Sequence, residues 1–149
     1  MAGIRNLRMT LGVVALSLSV VGVGALSVTD AGAAAKAKPS LTVTPSLGLH
    51  NGTTVKVSGK GFKAKDQLYI VECLRVATGQ GGCSISVLVP VVVGAAGTFS
   101  AVKFKVFTGK VGPGRCGTSA ATLKSCAISA GNASGGDTAS APIVFALKK

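Results

Sequence analysis

Residues 94–107 read Gly-Ala-Ala-Gly-Thr-Phe-Ser-Ala-Val-Lys-Phe-Lys-Val-Phe. The two parts of this stretch behave differently. Gly94-Ala95-Ala96-Gly97 has the composition of a turn, because glycine reaches backbone angles closed to other residues. Residues 98–107 alternate: Val102, Phe104 and Val106 fall on one side, Lys103 and Lys105 on the other. A period of two is the period of a strand, so the segment predicts a strand with an apolar inner face and a lysine outer face.

Outward from this stretch the same signal recurs. Residues 41–44 alternate and stop at Pro45, and residues 53–58 set Val55 and Val57 against Lys56 and Ser58. Residues 67–73, 85–93, 127–130 and 143–147 complete the set. Pro90 marks 85–93 as an edge strand or a strand broken at the proline, since proline cannot donate to a ladder. Turn-forming residues separate these runs at 50–52, 59–61, 109–114 and 131–136. Seven short strands spaced by glycine-rich turns predict an all-β, seven-stranded immunoglobulin-like antiparallel sandwich.

The chain opens with Arg5 and Arg8, continues through an apolar, uncharged stretch over 11–26, and reaches A-x-A sites at Ala31–Ala33, Ala33–Ala35 and Ala35–Ala37. A basic start, an apolar middle and small residues at the end make a secretory signal. We place the cut after Ala35, within 33–37, which leaves a leader over 1–35 and one secreted domain over 36–149. The apolar stretch is shorter than the roughly 20 residues of a spanning helix, which favours a cleaved leader over a membrane anchor. An even cysteine count in an exported domain reads as a disulfide framework. The four cysteines fall into two local C-x9-C pairs, Cys73 with Cys83 and Cys116 with Cys126. This spacing suits neither a zinc site nor the long-range bridge of antibody domains, which packs on a tryptophan that this chain lacks.

Sixteen lysines and arginines against four acids give a net charge of +12. Such a chain attracts polyanions: nucleic acid, anionic lipid headgroups or acidic cell-wall polymers. The lysines are spread along the chain without interleaved aromatics, so solubility and non-specific adhesion are the plainer reading. His50 is the sole histidine and sits in a turn. Asp66, Glu72 and Asp137 read as scattered surface acids. No nucleophile with a base and no metal-ligand set can be named, so neither an enzyme nor a metal protein is expected. A monomer is expected, and no cofactor follows from the residues themselves.

The segments Leu41-Thr42-Val43-Thr44-Pro45, Gly48-Leu49, Asn51-Gly52-Thr53, Val55-Lys56-Val57 and Gly59-Lys60-Gly61 are arranged as in the neocarzinostatin family, secreted apoproteins of actinomycete enediyne antibiotics. The resemblance continues through both cysteine pairs, the 94–98 turn and the closing segment 127–145. Local spacing and this resemblance together pair Cys73 with Cys83 and Cys116 with Cys126. The resemblance implies a cleft between one sheet and a stapled hairpin, holding a small apolar ligand: a non-covalent, labile, enediyne-type chromophore that attacks DNA. It implies a cleft lined by Cys73, Leu74, Arg75, Cys83, Leu88, Phe107 and Ala127. Arg75 and Leu88 stand where antibiotic members can carry aromatics. The second reading is a basic secreted module, or an envelope protein, that contacts DNA or anionic cell-envelope polymers through its lysines without a chromophore.

Overall fold

Alternating burial along each strand decides which side faces the core, and the computed structural model places the strands accordingly. It describes residues 37–76 and 80–147. The predicted leader, 1–35, lies outside the described residues. The strands are β1 Ser40–Thr44, β2 Thr54–Lys60, β3 Gln67–Leu74, β4 Val89–Val92, β5 Phe99–Lys105, β6 Gly109–Val111, β7 Gly114–Cys116, β8 Cys126–Gly131 and β9 Ala139–Ile143. Helical structure among the described residues is limited to two short 3-10 turns, Gln80–Gly82 and Ala120–Thr122.

One sheet has the order β1-β2-β5 and the other β4-β3-β8-β9, with every pairing antiparallel. These seven strands are the expected sandwich. Its interior is filled from both sides: Val43, Val55, Val57 and Phe104 meet Leu68, Ile70, Ile128, Ala130 and Ile143, all buried. Each fully buried aliphatic contributes roughly 1.5–3 kcal/mol through removal from water. Both expected disulfides, Cys73–Cys83 and Cys116–Cys126, are formed.

Three details differ from the sequence expectation. The run 85–93 shrinks to β4, an edge strand that pairs only with β3, where Pro90 is tolerated. The stretch 109–114, read as a turn, contributes to a two-stranded ribbon, β6 with β7. The last strand lies at Ala139–Ile143 rather than 143–147. Ile143 pairs with Cys126, the first residue of β8, so beyond it the sheet offers no further partner. The chain then leaves the sheet, and Phe145 buries itself while bridging Leu49.

Gly59 shows how tightly one end of the sandwich is packed. Phe62 and Phe99 pair there at 5.6 Å between ring centroids and 44° between planes, and a Cβ on Gly59 would run into the Phe99 ring. Opposite it the β2–β5 register shifts between Val57 and Gly59. The shift is a bulge, with Ala101 held at φ 53° and its N–H donating to Ser58 Oγ at 3.0 Å. A non-glycine residue in that left-handed region costs about 1 kcal/mol. Ala101→Gly is therefore expected to raise stability by about 1 kcal/mol, read as an increased midpoint in denaturant or thermal unfolding.

Candidate ligand cleft

The four-stranded sheet has two faces, and period-two alternation sorts its side chains between them. On β3, Leu68, Ile70 and Glu72 point into the sandwich, while Tyr69, Val71 and Cys73 line a cleft on the outside. On β8, Cys126, Ile128 and Ala130 alternate toward the core, and Ala127, Ser129 and Gly131 toward the cleft, which Ala130 also borders; Ala127 is buried as well. Ser140 and Pro142 of β9 continue that outer surface. Much of the floor is alanine, serine or glycine, and small side chains leave the sheet face concave. The resulting cleft has a volume of about 780 Å³, within the usual range for small-molecule sites.

Two walls rise from this floor. The first is the arm after Cys83, where Ile85 and Leu88 stand 71% and 46% exposed beside the cleft. The Cys73–Cys83 disulfide ties this arm to β3, and Ser84 N–H donates to Glu72 O at 2.8 Å. The second wall is the turn after β8. There Asn132 Oδ1 accepts from Gly136 N–H and Ser134 Oγ–H, both at 2.9 Å, and Asn132 Nδ2 donates to Asp66 Oδ2 at 2.9 Å. Ser129 Oγ and Ser140 Oγ lie 2.6 Å apart across the floor. At the mouth, Arg75 N–H donates to Ser125 O at 2.8 Å and Arg75 Nη1 to Lys124 O at 3.3 Å.

Six residues named from the sequence, Cys73, Leu74, Arg75, Cys83, Leu88 and Ala127, are among those lining this cleft. Phe107 is not: it packs half-buried against the core. Strand β5 belongs to the other sheet, and Phe107 lies two residues beyond its end. Tyr69, Val71, Ser129, Ser140 and Asn132 were not singled out from the sequence. The first two were legible as the odd positions of β3, on the same side as Cys73. The lining holds no histidine, aspartate or glutamate, so it offers no acid–base pair. His50 is exposed in its turn.

A model described as the neocarzinostatin family matches residues 41–145. The chain belongs to the neocarzinostatin family. Macromomycin of Streptomyces macromomyceticus is 36% identical over 113 residues, covering 72% of this chain and 77% of macromomycin. "Antitumor antibiotic C-1027 apoprotein" of Streptomyces globisporus is 33% identical over 123 residues, covering 73% of this chain and 82% of that protein. The solved structure of macromomycin superposes with a TM-score of 0.56 at 35% identity, over 72% of this chain and 99% of that one.

Beneath the cleft floor of this neocarzinostatin-family chain lies Glu72, expected at the surface but fully buried. Its even position on β3 dictates this, as for Leu68 and Ile70. Oε2 accepts from Phe107 N–H at 3.1 Å, while Oε1 has no hydrogen-bond partner among the described residues. A Glu72 carboxylate oxygen lies within 4.8 Å of the Cys116 and Cys126 sulfurs. Those sulfurs are bonded to each other, so no thiolate is present to ligate a metal. Burial pushes the Glu72 carboxyl up to about 7, offset in part by the Phe107 N–H. A carboxyl raised above its unfolded value binds more protons when folded, so the native state loses stability as pH rises through that window. Unfolding free energy is expected to fall from about pH 4.5 to about pH 7, by on the order of 3 kcal/mol, and then to level off. Glu72→Gln should flatten that segment of the profile, measured by thermal unfolding across pH with the disulfides intact.

Proposed function

We propose that the chain is a secreted, non-enzymatic carrier that holds a small apolar ligand, of the enediyne type, in the cleft on the outer face of the four-stranded sheet. The observation that carries this reading is the cleft itself: a concave floor of small side chains, closed on one side by a disulfide-tied arm with exposed isoleucine and leucine. Exposed apolar residues at a concave site gain from covering by a ligand at about 25 cal/mol per Å². Membership of a family that includes an antitumor-antibiotic apoprotein supports the same reading, as do the secretion-type leader and the two disulfides. A ligand seated on this floor is shielded from water and thiols on its inner side. Antimicrobial, DNA-damaging action then belongs to the ligand, with the protein as its protector.

The cleft brings its own reporter. Tyr69 lines it, and the chain has one tyrosine and no tryptophan. An aromatic ligand is expected to quench or shift tyrosine emission on binding. Ser129→Phe fills the floor and should weaken binding at least tenfold, with little change in unfolding temperature because Ser129 points away from the core. A bare polypeptide mass from the native producer, with no extractable small molecule, would count against the carrier.

A second surface favours polyanion contact. On the outer face of the three-stranded sheet, Lys56 stands directly opposite Lys103, with Lys60 and Lys105 exposed on the same face. Like charges directly opposite on a sheet are destabilising, and a phosphate backbone relieves them. None of the exposed large apolar residues belongs to this face, which fits backbone contact rather than base stacking. Binding to duplex DNA is expected to weaken with salt, with a log–log slope of about −4 for four neutralised charges. Lys56→Gln with Lys103→Gln should lower that slope by about 2; salt-insensitive binding would remove this reading.

A further inference from the structure

We propose that the cleft selects a ligand bearing an anionic group, an apolar carboxylate, and that Arg75 is the residue that recognises it; this deepens the carrier reading and rests on it. Arg75 is the one charged side chain among the described residues that line the cleft. The acids of the described residues are engaged elsewhere: Asp137, in the turn beside the lining residues Gly135 and Thr138, accepts from Lys63 N–H. Glu72 faces the sandwich interior on the opposite side of β3. Asp66 lies at the other end of β3, accepting from Asn132 Nδ2 through one oxygen and from Gln67 N–H through the other. The cleft is therefore polarised, with a cation at its Cys83 end, an amide at its Asn132 end and a neutral floor between.

The guanidinium is also positioned. Arg75 N–H is fixed to Ser125 O, and Nη1 leans on Lys124 O at 3.3 Å. A carbonyl is a neutral acceptor, so the positive charge is uncompensated there, and no carboxylate pairs with it among the described residues. Arginine presents five donors in a planar fork that matches a carboxylate with two parallel hydrogen bonds. Leu74 precedes it on β3 and Leu88 lines the same cleft from the stapled arm. A cation set among leucines fits a molecule with a flat apolar body and an acidic head. A positively charged ligand would meet Arg75 with no acid among the described lining residues to offset it.

The test uses a matched pair, 1-pyrenebutyrate and 1-pyrenebutanol, titrated against the full secreted chain at pH 7.5 and followed by pyrene and Tyr69 emission. The carboxylate is expected to bind about tenfold tighter than the alcohol, the effect of one charge-assisted contact. Arg75→Gln should bring the ratio near one by weakening the carboxylate alone, and Arg75→Lys should retain part of it. Lys38→Gln, outside the lining, should leave the ratio unchanged, which separates recognition by Arg75 from attraction by overall charge. Equal binding of the two probes, both blocked by Ser129→Phe, would overturn anion selection and leave the carrier reading standing. A ratio that survives Arg75→Gln would overturn the role of Arg75. Binding of neither probe, or binding that ignores Ser129→Phe, would overturn the carrier reading and this inference with it.

Discussion

Strand β3 is used on both of its faces, one buried in the sandwich and one lining the cleft, and much of the molecule is arranged around that. Leu68, Ile70 and Glu72 supply the sandwich interior, while Tyr69, Val71 and Cys73 supply the cleft. The register with β8 locks this division: Cys73 sits opposite Ala127, and Leu74 opposite Cys126. A slip of one residue would exchange the two faces, exposing the core set and burying the cleft set. The same alternation sets the two disulfides on opposite faces of one sheet at the same end. Cys73 projects outward and ties down the arm that walls the cleft. Cys126 projects inward and anchors the β6–β7 ribbon through Cys116. Each closes a loop of about ten residues, worth about 3 kcal/mol in the chain-entropy account. The outer bridge also fixes the shape of a wall that has little buried surface of its own.

Cleft and core make opposite demands on side-chain size. The interior takes valine, leucine, isoleucine and phenylalanine, because close packing needs volume. The outer face of β8 takes Ala127, Ser129 and Gly131, because larger residues would fill the hollow. Glu72 sits where these demands meet. It occupies a core position with a group that resists burial, one oxygen is unpartnered, and its carboxyl is raised accordingly. An apolar residue there would pack without that cost. Among the described residues its hydrogen-bond partner is the Phe107 N–H alone.

Strands β1, β2 and β5 are legible because apolar and polar residues alternate in them, and β3 because of its run of leucine, tyrosine, isoleucine and valine. The closing strand was misplaced for the converse reason. Residues 143–147 have the stronger apolar signal, yet Ala139–Ile143 pairs with β8, and its alanine, serine and proline carry little strand preference. The β6–β7 ribbon was hidden by its glycines. Glu72 reads as a surface acid by residue type, although its spacing from Leu68 and Ile70 points it inward. For the cleft, the residues flanking the first disulfide could be named from the family arrangement, and they line one continuous hollow. Phe107 could not be placed that way, because deciding which sheet bears the cleft requires the pairing of distant strands. The same holds for Ser140 and Pro142, which reach the cleft only through the β8–β9 register.

The two charged features occupy opposite sides of the sandwich. Lys56, Lys60, Lys103 and Lys105 project from the outer face of the three-stranded sheet, and Arg75 stands at the mouth of a cleft on the outer face of the four-stranded one. Packed sheets lie about 10 Å apart, and exposed charges are screened over about 8 Å at physiological ionic strength. The lysine face therefore contributes little to the field inside the cleft, where Arg75 is the charged residue of the described lining. The net charge of +12 is thus a poor guide to what the cleft accepts, and the local polarity along its floor is the better one. A polyanion on the lysine face and a small molecule in the cleft would not compete for space. In the proposed reading, cargo is held on one side while the other side engages a polyanion.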